Sequence, residues 1–154
     1  MVRLSNNFTL QEFTKSQTAL RQGIDNTPSE SHLVAAQHLF ENVVQKVRDN
    51  FGVTVINSGY RGPALNEAVG GSSKSQHCKG EAVDIECPGT PNYDVAKWIS
   101  DNLDFDQLIL EFYTPGIPDS GWVHVSYKTE GNRQSILTAM KENGKTVYKP
   151  GLIQ

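Results

Sequence analysis

Apolar residues recur along this chain with two different periods, and the change of period locates the elements. Over residues 30–49, Leu33, Ala36, Leu39, Phe40, Val43, Val44 and Val47 form one stripe at helical spacing. That segment predicts the longest helix and one wall of a core. "TLQEF" (9–13) has the form of a capping box, Thr9 bonding the backbone at Glu12 and Glu12 reaching back, so a short helix is expected there. "NYDVAKWISDNL" (92–103) predicts a further helix. The period shortens to two in "EAVDIEC" (81–87), "QLILEFY" (107–113) and "WVHVSY" (122–127), and "VTVINSGY" (53–60) also reads as a strand, followed by a long Gly-rich loop to residue 76. "QSILTAMKENGKTVYK" predicts a terminal hairpin turning at Asn143-Gly144. Helices first and mostly antiparallel strands afterwards imply an α+β fold, a small sheet with helices packed on one side.

The 154 residues fit one domain spanning 1–154. A net charge of −3 argues against nucleic acid or anionic membrane as a partner, because both require a basic stripe. No stretch approaches the roughly 20 apolar residues needed to span a bilayer, so no membrane insertion is expected. "MVRLSNNFTLQEF" lacks the apolar run of a secretory signal. The expectation is synthesis in a cytoplasm without a signal peptide, as a monomer. Two cysteines, Cys78 and Cys87, are too few for a disulfide framework and are read as structural thiols.

Alternation then assigns faces to the polar residues. In 81–87, Asp84 lies opposite Val83 and Ile85; in 122–127, Trp122, His124 and Ser126 lie opposite Val123, Val125 and Tyr127. If these strands pair, Asp84 and His124 approach each other, and His77 reaches in from the loop ahead of the first. Two imidazoles and one carboxylate suit zinc, and three protein ligands leave a fourth position open for chemistry. Taken alone, a histidine on a strand is more often structural than a ligand.

"SGYRGPALNEAVGGSSKSQHCKGEAVDI", followed by "DQLILEF" and "WVHVSY", resembles the M15 family of zinc peptidases, in particular its D-alanyl-D-alanine carboxypeptidase-like group common in bacteriophage endolysins. The family's Ser-x-His-x-x-Gly-x-Ala-x-Asp is met by Ser75, His77, Gly80, Ala82 and Asp84, and its late Trp-x-His by Trp122 and His124. "FTLQEFTKSQTALRQGIDNTP" resembles the group's N-terminal segment. The resemblance implies a hedgehog/DD-peptidase-like fold and one Zn2+ per chain on His77, Asp84 and His124. It also implies peptidoglycan stem peptides as substrate, cut at a D-Ala-D-Ala or an L-Ala-D-Glu bond after the protein is released or delivered to the cell wall. Ser75 and Gln76 are implied as substrate contacts, and Asn66, Gly70 and Gly71 as loop-shaping residues.

Peptide hydrolysis needs a general base. Glu111, on the polar face of its strand with Gln107 and Ile109, is the first candidate. Several relatives carry an acid three residues before the last histidine, but that position is Gly121 here. Asp119, in the loop "TPGIPDSG", is therefore the runner-up and Glu86 the third. Arg61, which matches the arginine of the family's Ser-Gly-Tyr-Arg stretch, is expected to hold a carboxylate or a developing oxyanion. Trp122 is a candidate cleft wall. His32 and His38 lie away from any motif and are not expected to be ligands. The rival reading is a non-catalytic zinc-containing domain that binds the wall or builds a virion.

Overall fold

The computed structural model describes residues 3–71, 75–117 and 119–153. A two-stranded ribbon of β1 (Arg3–Ser5) and β2 (Phe8–Thr9) leads into α1 (Leu10–Thr14). The expected capping box is present: Glu12 N donates to Thr9 Oγ1, and Thr9 N donates to Glu12 Oε1 at 3.0 Å. After α2 (Gln17–Gln22), the predicted long helix runs as α3 (Glu30–Leu39), a five-residue π-helical segment (Phe40–Val44) and α4 (Gln45–Phe51). Ala36, Leu39, Phe40, Val43, Val44 and Val47 are all fully buried, as the stripe required. Phe8 and Phe13 each pack edge-on against Phe40 with ring centroids 5.3 Å apart, which fastens the N-terminal segment to this helix.

The rest of the chain builds a sheet from β3 (Val55–Ser58), β4 (Ala82–Glu86), β5 (Gln107–Glu111), β6 (Trp122–Ser126), β7 (Ser135–Glu142) and β8 (Lys145–Pro150). Between β3 and β5 lie α5 (Pro63–Ala68), a 3-10 turn (Gln76–Lys79) and α6 (Asn92–Asn102). The strand order is β3-β4-β6-β5-β7-β8, and every neighbouring pair is antiparallel except β5–β7. The β7–β8 hairpin turns at Asn143 and Gly144, both at positive φ, as a two-residue turn of that sequence demands. One face of the sheet contributes Ile56, Val83, Ile85, Leu108, Leu110, Val123 and Val125 to the same buried cluster as the helices. The opposite face carries Asp84, Glu111, Trp122 and His124. This is the expected α+β architecture.

Two details differ from the sequence expectation. The strand expected over 53–60 is confined to Val55–Ser58, because beyond it the backbone bonds elsewhere: Tyr60 N donates to Phe13 O and Arg61 N to His77 O. The Gly-rich stretch before residue 76 contains α5, started by Pro63 at its first turn. Residues Ser72–Lys74 of that stretch lie outside the described residues.

Gly80 closes the 3-10 turn at φ +75°, and a Cβ there would stand 2.3 Å from the His32 carbonyl oxygen. His32 is thus tied to the motif after all, and its Nδ1 lies 3.0 Å from the Tyr60 hydroxyl. Gly23 has a similar φ of +66° but open space around it. Gly23→Ala should therefore cost about 1 kcal/mol, the left-handed penalty alone. Gly80→Ala should cost at least about 3 kcal/mol, because the His32 backbone must also move. Denaturant unfolding of the two variants measures the difference, and equal costs would contradict this close packing.

Candidate active site

Strands β4 and β6 bring the first two polar groups together by register: Asp84 pairs directly with His124. Their side chains share the face opposite the core, and His124 Nδ1 lies 3.0 Å from Asp84 Oδ1. His77 enters from the 3-10 turn, which starts where the Ser75 hydroxyl accepts the His77 backbone N–H. Its Nε2 lies 3.5 Å from the same Asp84 oxygen, and the two imidazole rings stand 5.2 Å apart.

The tautomer of His77 decides what this cluster can hold. Nδ1 lies 2.8 Å from the Gly59 carbonyl, which only accepts, so Nδ1 carries the proton. Neutral His77 then turns an Nε2 lone pair, not a proton, toward the Asp84 carboxylate. That arrangement is favourable only with extra positive charge between them, from a protonated ring or a cation. The three ligand atoms lie within 4.8 Å of one another. Atoms about 2.0–2.2 Å from a tetrahedral zinc stand about 3.3–3.5 Å apart, so the residues present fit the metal. Burial pushes the Asp84 carboxyl upward, but the hydrogen bond from His124 and the influence of the His77 ring outweigh it and hold the group well below the usual carboxylate range. Neither cysteine belongs to the cluster. Cys87 is buried against the Thr54 hydroxyl, and burial raises both thiols.

Glu111 sits one row along the sheet, paired with Trp122 and two residues, about 7 Å, from the Ile109–His124 pair. The Trp122 indole N–H donates to Glu111 Oε2, and Glu111 lines the cleft. Burial raises the Glu111 carboxyl above its ordinary value and the charge of Asp84 adds to this, while His124 and the Trp122 hydrogen bond oppose it. Arg61 lines the same cleft of about 800 Å3, with Nη2 3.5 Å from the Ser75 hydroxyl and its buried Nε without a partner among the described residues.

Gln76 donates to Asp106 at 3.0 Å and to Glu81 at 3.3 Å, so both Ser75 and Gln76 brace the turn that carries His77 as well as lining the cleft. Asp119 is not among the cleft residues. It lines a separate groove with Glu86 and Asn92, and Glu86 accepts hydrogen bonds from Asn57 and Asn92 there. His38 is exposed and lies outside the His77–Asp84–His124 cluster.

A sequence model of the family described as Peptidase M15 matches residues 6–126. The chain belongs to the peptidase M15 family. No curated protein matches it significantly. Within this M15 peptidase, the glycine three residues before His124 has a steric cause. Gly121 adopts φ +66°, and a Cβ there would lie 2.0 Å from the Glu111 carbonyl oxygen. A side chain at 121 and the present β5–β6 geometry are incompatible. The family match stops at the end of β6, yet Lys128, Arg133 and Tyr148 also line the cleft. Sequence reasoning missed these three because nothing local ties the segment after β6 or the last hairpin to the His77–Asp84–His124 cluster.

Gly121→Glu should therefore lower the melting temperature sharply, by a loss of at least about 3 kcal/mol, and should bring no gain in hydrolysis. Calorimetric melting together with a peptidase assay checks both. A stable variant with raised activity would contradict the steric account.

Proposed function

We propose that this M15 peptidase is a zinc-dependent hydrolase of bacterial peptidoglycan stem peptides, cutting either a D-Ala-D-Ala or an L-Ala-D-Glu bond. The observation that carries this reading is the His77 Nε2 lone pair turned onto Asp84 beside His124, a set that asks for a cation and leaves room for a fourth ligand. Zinc bound there would supply Lewis acidity, bringing the pKa of water toward about 7 and polarising the carbonyl under attack. Glu111, with Oε2 held by Trp122, takes the proton from the attacking water and passes it to the leaving amine as the C–N bond breaks. Arg61, fastened to the same loop through its backbone bond to His77, offers its guanidinium to the developing oxyanion or to a substrate carboxylate. Both a phage lytic enzyme and a wall-remodelling enzyme fit this substrate. No helix among the described residues is long and apolar enough to cross a membrane.

Glu111→Gln should lower kcat on stem peptides by at least about 100-fold while the zinc content stays at one per chain. Retained zinc with undiminished turnover would remove Glu111 from the base role. An active-site set that holds zinc while the wild type turns over no wall peptide would favour the binding-domain reading. His77→Ala should lose the metal itself, read by elemental analysis after dialysis.

The Trp122 hydrogen bond favours ionised Glu111, so its removal raises the carboxyl further. A base works only when deprotonated, and activity is lost as pH falls through its pKa. Trp122→Phe should therefore move the acid limb of kcat/KM to higher pH. An unmoved limb would mean that another group sets it.

A further inference from the structure

We propose that Arg133, at the end of the cleft away from Glu111, is the centre of a carboxylate-binding subsite. It would select peptides that carry a free carboxylate two to three residues from the bond cut, an inference that rests on the peptidase reading of this cleft. Asp106 is fully buried, and Arg133 grips it with two hydrogen bonds, Nε to Oδ1 at 3.0 Å and Nη2 to Oδ2 at 2.8 Å. The Arg133 backbone N–H also donates to Oδ1. Such a fork has a fixed orientation, unlike a flexible ammonium. Nevertheless 57% of the Arg133 side chain remains exposed, and its Nη1 has no hydrogen-bond partner among the described residues.

A buried Asp106 needs a counter-charge, and that alone would explain an ion pair. It does not explain why Lys79 and Lys128 line the same cleft without an ion-pair partner among the described residues. Lys128 N donates to Asn132 Oδ1 at 2.8 Å, closing the loop that sets Lys128 beside Arg133. Three cations thus line a cleft whose other acids include Glu81 and Asp106, with Arg133 at the Asp106 end of β5 and Glu111 and Trp122 at the opposite end.

The subsite is tied to the metal cluster by a single residue, because Gln76 next to His77 also donates to Asp106. Its reach follows from β5. Ile109 is level with His124, and Asp106 lies three residues before it, about 10 Å along the strand. An extended peptide covers that distance in two to three residues. A terminal carboxylate directly beside the scissile bond would not reach Arg133 and would meet Arg61 instead. Lys128 and Arg133 lie beyond the segment matched by the family model.

The test uses zinc-loaded protein and a set of synthetic stem peptides in which each carboxylate is amidated in turn. Amidation of one carboxylate should raise KM about tenfold or more with kcat within about twofold, the loss of one charge-assisted hydrogen bond. Arg133→Lys should show the same rise on the unmodified peptide and no further response to amidation. Because Arg133→Met alone would strand buried Asp106, the Asp106→Asn/Arg133→Met pair serves as the second variant, with its melting temperature measured. Lys128→Gln, which leaves the Asp106 pair intact, should show a smaller rise in KM. Equal KM for all wild-type peptides would overturn the proposal, as would Arg133 variants that lose every peptide alike. If the wild type cleaves none of them, the peptidase reading fails. Calorimetric Kd values for the free and amidated peptides then decide the subsite alone, a tenfold preference supporting it and equal values overturning it.

Discussion

The pairing of β4 with β6 is the constraint on which the site depends. Val83 and Ile85 face Val125 and Val123 in that ladder, all four fully buried, while Asp84 and His124 face each other on the other side. A slip of one residue would send the carboxylate and the imidazole into the core and the valines into the cleft. Burial of an ionised carboxylate without partners costs several kcal/mol, so the register that fills the core is also the one that assembles the cluster. The packing of the sheet and the geometry of the site are therefore one requirement.

What the ladder leaves open is supplied by loops held through backbone bonds. The Gly59 carbonyl sets the His77 tautomer, and Gly59 is itself confined, since a Cβ there would stand 2.2 Å from the Phe13 carbonyl. Tyr60 N bonds that same Phe13 carbonyl and Arg61 N bonds the His77 carbonyl. The helix that anchors Phe13 thus positions an imidazole and a guanidinium at once. At the far end, Asp106 fastens residues 127–134, as they pass from β6 to β7, to the start of β5. Its carboxyl is held below the usual range by the Arg133 hydrogen bonds first of all, so the tie stays charged.

Much of this was legible in the chain because it is local. Alternation placed Asp84, Glu111, Trp122 and His124 on one set of faces, and the helical stripe, the Thr9–Glu12 box and the Asn143-Gly144 turn lie where their own side chains direct. Strand order is not local: the insertion of β6 between β4 and β5, and the parallel β5–β7 pair, depend on packing that no window of sequence contains. Where Asp119, the runner-up to Glu111, would lie was unreadable for the same reason: it stands five residues before His124 in the chain but lines another groove, whereas Glu111 arrives across the β5–β6 ladder. The Asp106–Arg133 pair was unreadable because its partners are far apart in sequence and neither belongs to a motif.

The most direct test of the account is mass spectrometry of the soluble products released from peptidoglycan by the zinc-loaded protein, beside a chelator-treated control. The account predicts chelator-sensitive release of either single terminal alanine or intact stem peptides, the first marking the D-Ala-D-Ala bond and the second the L-Ala-D-Glu bond. Products that persist unchanged after complete removal of metal, or no product from fully loaded protein on several wall types, would contradict it.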